Sequence, residues 1–169
     1  MATKDDNLHL QIAHYENFKD HIKWPENICR QTIDHLLQTG FLEVSTLFEH
    51  AISNVGNIAI TSVDGQDFED VSDAKLVSVR TSSYGTSYSA PITNIHAKKG
   101  TLRVQVYERK QNKYYYFKIP YEYFKDIPKT SNIEIPFEMD GNPRRVLSRK
   151  PKYANWWDFE VSSFSEMSR

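Results

Sequence analysis

Apolar residues recur at helical spacing near the start of the chain. Leu8, Ile12, Tyr15 and Phe18 share one side of a helix predicted over residues 8–21. Trp24-Pro25 breaks it, and Pro25 suits the first turn of a second helix over 25–38, which carries Ile28, Ile33, Leu36 and Leu37 and ends at Gly40. A third helix is predicted over 42–53, with Leu47, Phe48, Ala51 and Ile52 apolar and Glu43, Thr46, Glu49 and His50 polar. After Gly56 the period shortens. Ile58–Val63 and Ala74–Arg80 read as strands, and residues 81–100, rich in Ser, Thr, Gly and Tyr, as a long loop with at most a short helix. Leu102–Tyr107 is a strand with β-branched residues at alternate positions, Gln111-Asn112-Lys113 a turn, and Tyr114–Ile119 the returning strand. A helical turn at Tyr121–Phe124, a short strand at Ile133–Phe137 and a turn at Asp140–Pro143 precede a basic segment that ends in Trp156-Trp157. This order predicts an α+β (mixed α/β) fold, with helices first and a mixed, largely antiparallel sheet after them.

With 169 residues, 25% charged and 39% hydrophobic, the chain is expected to be a single globular domain, with a helical region over 1–55, a central region over 56–125 and a basic C-terminal region over 126–169. No apolar run is long enough to span a membrane, and no secretory leader is legible. The lone cysteine, Cys29, excludes an internal disulfide and a cysteine-built zinc site, and predicts a cytoplasmic location. The net charge of −1 conceals an asymmetry. Residues 1–73 carry 13 Asp/Glu and 4 Lys/Arg, whereas residues 74–169 carry 17 Lys/Arg and 9 Asp/Glu. A neutral total therefore does not argue against a polyanionic partner.

The segment richest in candidate chemistry runs from Val63 to Lys75. Asp64, Asp67, Glu69, Asp70 and Asp73 fall within ten residues, and no basic residue precedes Lys75. If the flanking strands form an antiparallel hairpin with Asp64 opposite Asp73, then Ser62 faces Lys75, Ile60 faces Val77 and Ile58 faces Val79. Asp73 and Lys75, two apart, share a face in any register. An alternative register sets Asp67 opposite Asp73 and makes Asp67 the first acid. Cross-strand carboxylates about 5 Å apart repel unless a cation joins them. Hard oxygen donors favour Mg²⁺, which polarises phosphoryl oxygens and activates water. The plain reading of the same residues is an exposed acidic turn with a surface ion pair at Lys75.

An acid followed by Asp-x-Lys, here Asp64, eight residues, then Asp73-Ala74-Lys75, resembles the PD-(D/E)XK nuclease superfamily, and small type II restriction endonucleases in particular. The order of helices, motif hairpin, variable loop and strand–turn–strand over about residues 42–125 is similar to theirs. Two positions depart from the pattern: Val63 stands where the family has Pro, and Asp73 stands in place of the commoner Glu. The resemblance implies a catalytic core over 56–125, Asp64 and Asp73 as ligands of Mg²⁺ (or Mn²⁺), and Lys75 assisting the attacking water. Glu43 or Glu49, on the preceding helix, would be the additional acid that some members carry. It further implies a hydrolase cutting double-stranded DNA at a specific site, acting as a homodimer through the helical region 1–55, with no membrane role.

The second half supplies candidate DNA contacts. Lys98, Lys99, Arg103, Arg109, Lys110, Lys113 and Lys118 are accompanied by a single acid, Glu108, and Arg144, Arg145, Arg149, Lys150 and Lys152 by none. Such clusters suit a phosphate backbone, although a solvated strand edge also collects lysines. The segment after the motif strand adds Arg80, Ser82, Tyr84, Asn94, His96, Lys98 and Lys99, of types that contact phosphates and base edges. Tyr114–Phe117 fits packing better than base stacking. Trp156-Trp157 suits either docking of the C-terminal segment or a dimer contact. The helical histidines have no metal-ligand spacing, and no P-loop, GxSxG or dinucleotide fingerprint is present. Two other functions suit the same residues: a non-catalytic nucleic-acid-binding or regulatory protein, and a repair or phage nuclease.

Overall fold

The computed structural model describes residues 4–23, 30–39, 43–60, 68, 73–93, 95, 100–127, 133–145 and 154–169. Helices α1 (Lys4–Phe18), α2 (Arg30–Gln38) and α3 (Val44–Gly56) come first. Strands β1 (Asp73–Ser78), β2 (Arg80–Thr81), β3 (Tyr88–Ile92), β4 (Leu102–Glu108), β5 (Lys113–Ile119) and β6 (Ile133–Phe137) follow, then β7 (Glu160–Val161) and the short helix α4 (Phe164–Ser168). The class is α+β, with the helices leading as the hydropathy pattern predicts. Among the described residues no helix is long and apolar enough to cross a membrane.

Two sheets divide the strands. One has the order β1-β4-β5-β7, the other β2-β3-β6. All pairings are antiparallel except β1 with β4, which run parallel with Asp73 beside Leu102, Lys75 beside Val104 and Val77 beside Val106. The alternation of β4 separates two cores. Leu102, Val104 and Val106 face the three-stranded sheet and pack with Val77, Val79, Ala90, Ile92, Ile133, Ile135, Phe117, Trp156 and Trp157. The opposite face meets the helices, where Tyr15, Phe18, Leu47, Phe48, Ala51, Ile52, Phe68, Phe164 and Met167 are buried together. The helix α3 inserts Val44, Leu47, Phe48, Ala51 and Ile52, a three-and-four spacing that puts all five on one side. It ends at Asn57, whose left-handed backbone (φ 54°) suits an Asn C-cap.

Two expectations need correction. First, among the described residues of the strand predicted over 58–63, Ile58–Ile60 do not pair with 74–80: Ile60 bridges Phe68 instead, and Val77 lies beside Val106. Phe68, fully buried with the helices, draws the chain back on itself within eight residues, and β1 takes its described partner from β4. Neither proposed hairpin register, with Asp64 or with Asp67 opposite Asp73, is therefore formed by Ile58–Ile60 and β1. Second, residues 81–100 are not a long loop, because the end of β2 and all of β3 fall there. Tyr88, Ala90 and Ile92 are buried and alternate with Ser89 and Pro91, a period of two. Pro91 is tolerated because β2 pairs only at Ser89 and Tyr88, so no ladder bond is lost beyond them. Of the two alternatives for Trp156-Trp157, docking of the C-terminal segment is the one formed: both are core residues, 1% and 5% exposed, and Trp157 Nε1 donates to the Pro136 carbonyl at 3.0 Å.

Candidate nuclease site

Strand β1 forms an edge of its sheet among the described residues, and its position sets the geometry of the candidate site. Asp73 is 2% exposed. Its Oδ1 accepts from the Ala74 backbone N–H at 2.9 Å, and its Oδ2 lies 3.7 Å from Lys75 Nζ. Its own backbone N–H donates to the Thr101 carbonyl at 3.0 Å, which locks the start of β1 against the strand beside it. Asp73 and Lys75 thus lie on one face of a strand, side by side, as their i, i+2 spacing requires. Asp64 and Asp67, the two candidates for the first acid, lie outside the described residues. So do Asn94, His96, Lys98, Lys99, Arg149, Lys150 and Lys152.

A cleft of 610 Å³ opens along the edge strand, between β1, the N-terminal helices and β3. Lys75, Ser78 and Arg80 line it from the strand side, Pro91 and Thr93 from β3 and just beyond it, and Gln11, His14, Glu43 and Ser45 from the helical side. Of the two helix-borne acids, Glu43 shares this cleft with Lys75. Glu49 lies half-buried on α3, which packs on β1, and is not among the lining residues. Asp73 is not a lining residue either; its ion pair with Lys75 links it to the cleft.

Behind the cleft sits a buried polar chain. His14 is 4% exposed and Gln105 fully buried. Gln105 Nε2 lies 3.0 Å from His14 Nδ1 and 3.4 Å from the His14 carbonyl oxygen, which can only accept. The amide nitrogen therefore faces the ring, Nδ1 accepts, and the imidazole proton sits on Nε2, 3.3 Å from Ser78 Oγ. Burial pushes the His14 pKa down from 6.5 to about 4. Gln105 Oε1 accepts from Asn17 Nδ2 at 2.8 Å, and Asn17 exchanges hydrogen bonds with the Tyr116 hydroxyl. Tyr114 donates to the Ala13 carbonyl at 2.6 Å; burial first, then the neighbouring Tyr107, raises its pKa to about 12. The tyrosine run thus ties β5 to α1 rather than presenting a stacking platform.

Several basic residues predicted to meet phosphate are used inside the molecule. Arg103, 4% exposed, donates from Nε to the Met167 carbonyl at 2.9 Å. Lys118, its cross-strand neighbour, donates to the Arg169 backbone oxygen at 2.8 Å. Both cations thereby serve the carbonyl end of α4, where positive charge is favourable. Lys110 donates to the Met139 carbonyl and lies 4.2 Å over the Tyr88 ring. Arg145 pairs with Glu160 at 3.1 Å and stacks on Trp157 at 4.7 Å. Arg80, Arg109, Lys113 and Arg144 are exposed.

The lone acid of the basic stretch is structural. Glu108, fully buried, accepts from the Tyr88 hydroxyl at 2.6 Å and from the backbone N–H groups of Lys110 and Gln111 at 2.8 and 2.6 Å. Burial and this bond to Glu108 push the Tyr88 pKa up. Ser82, a predicted DNA contact, holds the β2–β3 turn: its Oγ accepts from the Thr86 and Ser87 N–H groups at 3.1 and 3.2 Å. Tyr84, at the tip of that turn, is 89% exposed.

His14, Gln11, Ser45 and Thr93 are cleft residues that the sequence pattern does not single out. One signal for His14 was legible: it adjoins Tyr15 and lies four residues before Phe18, both of them on the buried side of α1. The described residues contain no group of three or more His, Cys, Asp or Glu able to hold a metal ion. No protein-family model, no curated protein and no solved structure matches the chain.

Proposed function

We propose that the protein is a metal-dependent DNA endonuclease of the type II restriction kind, hydrolysing phosphodiesters in double-stranded DNA, and that it works as a homodimer. The observation that carries this reading is the Asp73–Lys75 pair: a carboxylate and an ammonium 3.7 Å apart on one face of a strand, with the lysine at the wall of the cleft. The donor set suits a hard divalent cation in kind, with Asp73 as one oxygen ligand and Asp64 or Asp67 as the second acid. Mg²⁺ bound there would supply Lewis acidity toward the phosphoryl oxygen. Lys75 then has two roles that need no rearrangement of its strand: it neutralises charge building on the phosphate, and it orients the attacking water. Arg80, exposed at the same cleft, would hold an adjacent phosphate of the backbone. Glu43, across the cleft from β1, is better placed than Glu49 to be an additional acid.

A second reading, a nucleic-acid-binding protein without catalysis, draws support from the near-complete burial of Asp73, which a purely structural ion pair would also explain. Incubation of the pure protein with supercoiled plasmid and Mg²⁺, with and without EDTA, separates the two. Discrete fragments that EDTA suppresses support a site-specific endonuclease, and a smear supports a non-specific one. Retarded but intact plasmid supports the binder.

A further inference from the structure

The β2–β3 hairpin leaves the sheet beside the cleft. Arg80 and Pro91, at its base, line the cleft, and Arg80–Ser89 and Thr81–Tyr88 are its pairs. Beyond them the chain turns through Ser82–Ser87 with a fixed backbone. Ser82 N–H donates to the Ser87 carbonyl at 2.8 Å and Gly85 N–H to the Ser82 carbonyl at 2.9 Å, while the Ser82 hydroxyl accepts from two further N–H groups. Gly85 takes the left-handed φ of +69° that the turn needs. At the apex of this braced turn stands Tyr84, whose side chain is 89% exposed. It is the most exposed large hydrophobic residue among those described.

An aromatic ring in that position gains no burial from folding, and its apolar faces are open to a partner. The electrostatic setting indicates which partner. Over residues 74–93 the sequence has no carboxylate, and its charges are Lys75 and Arg80, of which Arg80 is exposed. Ser83, Thr86 and Ser87 add exposed hydroxyls around the ring. Tyr84 is four residue steps from Arg80, a reach of at most ~13 Å at ~3.3 Å per residue. That distance lets Tyr84 enter a groove of a duplex whose backbone lies at Arg80.

We infer that the β2–β3 hairpin is the groove-entering element of the DNA interface, and that the Tyr84 ring wedges between two base steps of the duplex seated at the cleft, partly unstacking them so that it stacks on a base. The inference rests on the nuclease reading and adds to it the element that engages the bases and the contact it makes. A braced tip and an exposed ring lower the ordering cost of such a contact.

The test uses the full chain, a fluorescein-labelled pool of plasmid fragments, and Ca²⁺ in place of Mg²⁺ so that binding is read without cleavage. Fluorescence anisotropy compares the wild type with Tyr84→Ala and Tyr84→Phe, both expected to fold normally because the side chain is exposed. The inference predicts a Kd raised about 5-fold or more by Tyr84→Ala, the low end of what loss of one base–aromatic stack produces because unstacking the duplex offsets part of it, and a near-wild-type Kd for Tyr84→Phe. An unchanged Kd for Tyr84→Ala overturns the inference while leaving the nuclease reading intact. An equal loss in both variants overturns stacking, because the hydroxyl would then be the contact. Failure of the wild type to bind any fragment removes the nuclease reading and the inference with it.

Discussion

Acidification should destabilise this protein through one histidine, and the structure sets the size of the effect. His14 is 4% exposed, its Nδ1 faces the amide nitrogen of Gln105, and its pKa is lowered from 6.5 to about 4 by burial. Protonating the folded ring would set an N–H against the Gln105 NH₂, two donors facing each other. The unfolded chain takes up the proton near pH 6.5, whereas the folded chain resists until about pH 4. Between those values the unfolded state binds more protons, so stability falls as pH falls, and it levels off below about 4. At 1.36 kcal/mol per pKa unit the full loss is about 3 kcal/mol, most of it complete by about pH 4.5. Urea denaturation at pH 7.5 and 4.5, for the wild type and His14→Asn, isolates this residue, because all other titrating groups are common to both proteins. The wild type should lose about 2 to 3 kcal/mol more than the variant across that interval. Equal losses in the two proteins would refute the buried, neutral His14 and the tautomer assigned to it.

Four further outcomes follow from the packing and the cleft. A Cβ on Gly56 would lie 1.9 Å from the Ser168 carbonyl oxygen, a backbone atom, so Gly56→Ala should cost about 2 kcal/mol or more by forcing α3 from α4 in urea titrations. Glu108→Gln sets an NH₂ against one of three donors around a buried carboxylate and should cost about 2 kcal/mol. Gly141→Ala, at φ +97° and with its Cβ 2.7 Å from Glu108 Oε2, should destabilise the same corner, and the two changes should be non-additive. On the nuclease reading, Glu43→Gln should lower the plasmid cleavage rate and Glu49→Gln leave it near wild type, since only Glu43 shares the cleft with Lys75.

Local pattern foretold local structure well. The hydropathy of α1 and α3, the β4–turn–β5 hairpin and the β6 strand are all written in stretches shorter than about 20 residues, where periodicity speaks directly. Long-range pairing is another matter. The sequence around Asp73 suggests a hairpin with its nearest upstream strand, but β1 pairs in parallel with β4, about 30 residues downstream, and nothing local encodes that. The burial of Phe68 decides against the upstream partner, and an isolated Phe in an acidic run does not advertise it. In β3 the alternation was hidden by a small residue, Ala90, and by Pro91, which reads as a strand breaker unless the neighbouring strand has already ended.

The candidate site divides in the same way. That Asp73 and Lys75 share a face follows from their spacing alone. Which cations meet solvent does not follow from charge: Arg103 and Lys118 look like phosphate contacts in sequence and instead hold the end of α4. Nor does the His14–Gln105 contact, between residues 91 apart, leave any trace in the spacing of histidines. The one long-range clue that was legible is Glu108, a single acid in a lysine-rich stretch, whose isolation fits its buried clamp on Tyr88 and the β4–β5 turn.

The central claim is that Asp73 and Lys75 act together on a phosphodiester. It is tested most directly by the initial rate of Mg²⁺-dependent plasmid cleavage at saturating protein for the wild type, Asp73→Asn and Lys75→Met, each first shown to be folded by circular dichroism. The account predicts cleavage by the wild type and a loss of at least about 100-fold in each variant. Cleavage by either variant at the wild-type rate, or none by the wild type, would contradict it.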